Sequence, residues 1–204
     1  MRMAAVIFIL LALSFHARAA ENTAKNPAEN AVRSASLDQA VREYIRREFK
    51  MARTNERNAK GLSDFIESRF SFSEGGEEVP AVVVVYYGAL KGLKARASSN
   101  PLAKLNFLSE SLTLLDEAVA SAQDDLEVRF IRFATLHHLP AVLGVGKKRY
   151  EDVSAICRLL EGKDYSLVDR GTQSEMIDFM LKSRRLSLPA RQSLAQLSEE
   201  GQAE

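Results

Sequence analysis

Apolar residues recur along this chain at helical spacing, and no segment alternates with the period of a strand. Leu37, Ala40, Val41, Tyr44, Ile45 and Phe49 follow one another at steps of mostly three and four. That spacing places one apolar stripe on a helix beginning near Ser36. The polar stretch RTNERNAKG interrupts it. Leu62, Phe65, Ile66 and Phe70 then form a second, shorter stripe, and SFSEGGEE reads as a loop. In VPAVVVVYYGALKGLKARA, four valines and two tyrosines favour a strand by composition. Length decides for helix. No turn signal occurs from Pro80 to Ala97, whereas strands usually stop after about 5 or 6 residues. Pro80 suits a first helical turn, and an element apolar on all sides is a central core helix.

The punctuation that follows divides the rest of the chain into further helices. Asn100 and Pro101 predict a cap and a first turn. From there Leu102, Leu105, Leu108, Leu112, Leu115, Val119 and Ala122 repeat at three or four. Asp124 or Asp125 caps the next helix, Leu126 to about Leu139, which Pro140 ends. YEDVSAICRLLEG is a helix closed by Gly162. Thr172-Gln173-Ser174-Glu175 reads as a capping box opening a helix through Lys182. Ser187 and Pro189 open a last one, ending near Glu199. The expected class is all-α, with seven or eight helices in antiparallel hairpins.

The N-terminus changes the picture of the compartment. Arg2 precedes the 12-residue apolar run Ala4–Phe15, and Ala17-Arg18-Ala19 fits a small-x-small cleavage rule. Spanning a bilayer takes about 20 apolar residues, so residues 1–19 read as a cleaved signal peptide and not as an anchor. Residues 20–35 read as a flexible polar tail, leaving 36–200 as one α-helical domain. Export implies a periplasmic or secreted protein with no membrane span after cleavage. Cleavage leaves 26 basic residues against 27 acidic ones, a balance that gives no case for nucleic-acid binding. The single cysteine, Cys157, excludes an internal disulfide and sits on an apolar helical face, where it reads as a buried small hydrophobe.

Within SLTLLDEAVASAQDD, Ser111, Leu115, Ala118 and Val119 resemble second-helix positions of a tetratricopeptide (TPR) repeat, where small residues let helices approach closely. Phe130, Phe133, Ala134 and His137 resemble the first helix of such a repeat, and Tyr87-Gly88 offers a similar large-small pair. The stretch YYGALKGLKA…NPLAKLNFLSESLTLLDEAV…LEVRFIRF is also similar to a family of uncharacterised exported bacterial proteins. The resemblance implies a TPR-like fold, an envelope setting and binding of other proteins, and it implies no activity.

The segment HHLPAVLGVGKKRYED holds the most unusual chemistry. His137 and His138 are adjacent, so on a helix they point about 100° apart, whereas paired metal ligands want i, i+4. No metal or other cofactor is expected. His137 falls on the inward phase of Phe130 and Phe133. His138, in the last turn, would complement the helix dipole if protonated. No G-x-S-x-G elbow, P-loop or paired catalytic carboxylates are present, so no catalytic residue is assigned. Lys147, Lys148 and Arg149, in a connecting loop from Pro140, form a solvated basic rim with Arg129 and Arg132 for an anionic partner segment.

The expected function is therefore a non-catalytic exported protein-interaction module serving an envelope assembly. Its partners would be other envelope proteins, in an oligomeric state the sequence leaves open. One alternative is a small-ligand-binding helical bundle using Tyr86, Tyr87 and His137. The other is an enzyme built on Cys157 and a histidine.

Overall fold

The computed structural model describes residues 27–72, 79–183 and 185–203, with side chains from 39 to 201. The signal peptide read in residues 1–19, residues 20–26 of the tail, and positions 73–78 of the SFSEGGEE loop lie outside the described residues. The chain divides into two units, Met1–Glu43 and Tyr44–Glu204. In the first, the described backbone is helical from Pro27, and the Gln39 amide donates to the Glu43 carboxylate at 2.9 Å. The remainder describes the second unit.

Eight α-helices and one 3-10 turn, with no strand, make up the described residues. They are α1 Pro27–Ala52, α2 Glu56–Arg69, α3 Ala81–Ala97, α4 Pro101–Ser121 and α5 Leu126–His137. After the 3-10 turn Ala141–Leu143 come α6 Gly146–Glu161, α7 Arg170–Lys182 and α8 Leu188–Ala203. The all-α class is as expected, and the valine run is helix α3. None of these helices is long and apolar enough to cross a membrane.

Several boundaries differ from the sequence reading, each for a local reason. The tail expected to run to 35 is helical from Pro27, a residue whose fixed φ suits a first turn and which Ala28 and Glu29 extend. The break after α1 is only Arg53-Thr54-Asn55. The Asn55 side chain accepts from the Arg57 and Asn58 amides, so ERNAKG belongs to α2. Helix α6 starts at Gly146 and not near Tyr150. Gly144 takes the left-handed turn at φ 70, and the Arg149 amide already donates to the Val145 carbonyl at 3.1 Å. Gly162 is the C-cap of α6, as the sequence implies, but it keeps helical dihedrals, and the left-handed residue is Lys163 at φ 49. Helix α7 is capped by Asp169, which accepts from the Thr172 amide and hydroxyl at 2.9 and 2.6 Å; Thr172 is thus inside the first turn and not the cap. Helix α8 continues past Glu199 to Ala203.

Helix α3 is buried over its N-terminal half, from Val82 to Leu90 with Val84 half-buried. A Cβ on Gly88 would lie 3.1–3.2 Å from Leu114 and Leu115, and one on Gly92 would lie 3.2 Å from Ser111 and 3.3 Å from Thr135. Residue number rises on α3 as it falls on α4, so the two are antiparallel. Tyr86 meets Glu127 and Gly92 meets Thr135, so α3 and α5 run parallel. Phe49 of α1 packs edge-on against Tyr86 at 5.0 Å, and Arg96 donates to the Arg53 carbonyl, which makes the end of α1 parallel to α3 as well. Phe133, Val153, Ile156, Cys157, Leu160, Ile177, Met180 and Leu194 form a second core cluster joining α5 to α8. Fully burying an aliphatic side chain of this size is worth about 1.5–3 kcal/mol.

Candidate functional site

Two buried acids anchor ion networks in the interior. Glu127 is fully buried in the first turn of α5. It accepts from the Tyr86 hydroxyl at 2.6 Å and, in a fork, from Arg46 Nε and Nη2 at 2.7 and 2.9 Å. Arg46 Nη2 also donates to the Leu167 carbonyl at 3.1 Å. The hydrogen bond to Glu127 outweighs burial and holds the Arg46 guanidinium above its ordinary value. Asp152 of α6 is also fully buried. Arg132 reaches it at 2.7 and 2.9 Å and Arg129 at 3.2 Å. Arg132 Nη1 also donates to Asp116 at 3.0 Å, and Asp116 takes the Lys148 ammonium on its other oxygen. Burial holds the Asp152 carboxyl above its ordinary value, with Arg132 and Arg129 pulling against that rise. Its bond to Asp152 keeps the Arg132 guanidinium raised against its own burial.

The basic residues expected on a solvated rim therefore divide. Arg132 and Arg149 are 5% and 7% exposed, and Arg129 and Lys148 are committed to acids. Among the described residues, Arg149 meets no acid. Its Nη1 donates to the Leu136 and Leu139 carbonyls at 3.2 and 3.3 Å, closing the C-terminal end of α5. That is the cation role expected of His138. The reason is the early start of α6, whose first turns carry Lys148 and Arg149 back over the end of α5. Only Lys147 points into solvent, its side chain 88% exposed beside Glu151.

The three groups considered for a small ligand have separate partners. Tyr86 donates to Glu127, Tyr87 donates to Glu67 at 2.7 Å, and His137 Nδ1 pairs with Ser183 Oγ at 3.3 Å. The half-buried His137 ring lies among Phe133 and Phe179, as its inward phase implied. A cleft of about 30 Å³ lined by Leu160, Tyr165, Gln173, Ile177 and Leu197 contains none of the three. It has room for about one water, against 300 Å³ or more for an ordinary ligand pocket. Cys157 lies in the apolar cluster, where burial, followed by Glu161, pushes its thiol up and away from the reactive thiolate. Among the described residues, no group of three or more His, Cys, Asp or Glu is placed to hold a metal ion.

The turns joining the helix pairs meet at one end of the second unit. Arg96 Nη2 donates to the Arg53 carbonyl at 3.2 Å, linking the turns after α3 and α1. The Arg185 amide donates to Ser183 Oγ at 3.0 Å, and Ser183 pairs with His137, linking the turn after α7 to the end of α5. His137 and His138 lie with ring centroids 5.1 Å apart. Burial first, then His138, Arg185 and Arg149, hold His137 below its ordinary value. Burial, then Arg96 and Arg53, do the same to His138. From the same end projects the turn Ala141–Leu143, with Val142 90% exposed and Leu143, Lys147 and Tyr150 also exposed. Sequence reasoning missed Arg46, Glu127, Asp116 and Asp152 as nodes, and Arg53, Arg96 and Arg185 as neighbours of the histidines. Charges in first and last helical turns are ordinary on any helix surface, so only the packing distinguishes these. The chain matches no protein-family model, no curated protein and no solved structure.

Proposed function

We propose that the chain is a non-catalytic protein-interaction module of TPR-like type, exported and serving an envelope assembly, and that it binds through its hairpin-turn end. The observation that carries this reading is the projecting turn. Val142 and Leu143 stand in solvent, with Lys147 and Tyr150 exposed on the helix that follows, while Arg129, Arg132, Lys148 and Arg149 are engaged within the fold. Aliphatic and tyrosine side chains in a small exposed group, rimmed by a cation, are typical of a recognition surface on a rigid helical scaffold. The apolar run at the N-terminus and Ala17-Arg18-Ala19 support export.

The test is affinity capture from the native envelope with the parent chain and with Val142→Asp/Leu143→Ser. Both side chains are exposed, so the variant should melt with the parent. A specific protein retained by the parent and lost by the variant is the expected result. Equal recovery by both would remove the turn from the binding surface.

A further inference from the structure

We propose that the hairpin-turn end carries an anion site, formed by Arg53 and Arg96 at His138 and Arg185 at the neighbouring His137, that binds a carboxylate-rich segment of a partner protein. This rests on the interaction-module reading and specifies its chemistry. Arg53, Arg96, Arg149 and Arg185 are the cations that act on the two histidines, and none of the four has a carboxylate partner among the described residues. Several cations elsewhere in the unit are paired with acids: Arg46 with Glu127, Arg129 and Arg132 with Asp152, Lys91 with Glu110, Arg158 with Asp124. The hairpin end brings together arginines that are not.

Part of this concentration of positive charge has a structural cause. Helices α1, α3, α5 and α7 end here, and cations complement the carbonyl ends of helices. Arg149 answers that need fully by donating to two α5 carbonyls, and it is buried. Arg96 answers it in part through the Arg53 carbonyl. Neither Arg53 nor Arg185 has a side-chain hydrogen bond or ion pair in the described structure, and both are exposed. The mutual repulsion of such a group is relieved by an anion. All the members are arginines, whose planar fork pairs two-to-two with a carboxylate. They come from three separate turns, which suits several carboxylates along an extended segment better than one compact anion. The exposed Val142 and Leu143, in the turn that follows the histidines, would take apolar residues of the same segment.

The probe is a short fluorescent oligo-glutamate peptide, titrated at low salt into the purified full chain. It is compared with an Arg53→Gln/Arg96→Gln/Arg185→Gln variant and a charge-matched control, Arg47→Gln/Arg69→Gln/Arg158→Gln. The site variant should bind about tenfold more weakly while the control stays near the parent. The peptide should also shift the His138 ring resonances of the parent. Matching losses in the two variants would mean bulk charge only and would overturn the site. So would unchanged His138 resonances, or tighter binding to anionic phospholipid vesicles or inorganic phosphate than to the peptide. The module reading fails separately. If the peptide binds as expected but no envelope protein is captured, the site stands and the module does not. If an envelope protein is captured equally by parent and site variant, the module stands and the site does not.

Discussion

Two neighbouring histidines behave in this fold as neutral groups in a field of arginines. Each has a folded pKa below its ordinary value near 6.5. The unfolded chain therefore takes up protons first as pH falls. Stability from these groups is fully present above about 6.5 and declines as pH drops through that value toward the folded pKa. Going from about pH 7.5 to pH 5.5 should lower the Tm of the parent more than that of His137→Asn/His138→Asn. Parallel curves would mean that folding does not hold the rings below their ordinary value, through burial first and the arginines second. Arg149 gives a second contrast. Arg149→Ala removes the donor to the Leu136 and Leu139 carbonyls and should cost about 1–3 kcal/mol by chemical denaturation, with Lys147→Ala within about 0.5. Equal midpoints would sink the capping role. A triple serine replacement across 147–149 would thus disturb folding as well as binding. The sequence showed that His137 points inward, because its phase follows Phe133. It did not show which cation closes α5, because Gly144 and Gly146 look alike as letters. Only Gly144 breaks the backbone, and Gly146 belongs to the helix that brings Arg149 into place.

At the scale of elements, the spacing of small residues was the most legible feature. Gly88, Ser111, Leu115 and Ala118 were picked out by a repeat-like pattern, and they lie in the α3–α4 contact or are buried on α4. A methyl on Gly88 would meet the Leu115 backbone nitrogen at 3.2 Å and Leu114 Cβ at 3.1 Å, neither of which can turn aside. On Gly92 it would meet a serine hydroxyl and a threonine methyl, both on rotatable side chains. Gly→Ala inside a helix returns about 0.5–1 kcal/mol of propensity. Gly92→Ala should therefore be near neutral, and Gly88→Ala should cost about 1–3 kcal/mol through overpacking. If the order of the two midpoints reverses, the antiparallel register is wrong. Ser111 Oγ is buried with no hydrogen-bond partner, so Ser111→Ala should be neutral or stabilising, which the same denaturation series reads. Helix ends were less legible. A cap depends on which of several adjacent polar residues turns its side chain back, and Asp169 competes with Thr172 three positions later. Asp169 wins because it accepts from both the amide and the hydroxyl of Thr172.

Across the whole chain the net charge is near zero, yet the charges in the second unit are sorted. Of the two fully buried acids, Glu127 holds Arg46 and Asp152 holds Arg129 and Arg132, while the hairpin end keeps arginines that meet no acid among the described residues. Composition gives the sum and cannot give the sorting, because pairs such as Arg46 and Glu127 lie 81 positions apart. The Glu127 node ties α1, α3, α5 and the segment before α7 through one carboxylate. Its loss should therefore act on the whole unit and not on one helix. Glu127→Gln keeps the shape of the side chain but leaves the mostly buried Arg46 guanidinium with only the exposed Asp169 carboxylate, 3.8 Å away, as counter-charge. Removing one partner of a buried ion pair costs about 3–5 kcal/mol, whereas an exposed, solvent-screened pair such as Lys60–Asp64 contributes little. A single cooperative transition, displaced to lower denaturant by Glu127→Gln and scarcely moved by Asp64→Asn, is the expected outcome. Tyr86→Phe, which removes only the hydroxyl donor, should fall between them. The double variant Glu127→Gln/Arg46→Met should recover part of the loss, because it removes the stranded charge along with the pair. If the double variant is less stable than Glu127→Gln by the full cost of Arg46→Met alone, the two side chains act independently, and the node does not hold these helices together.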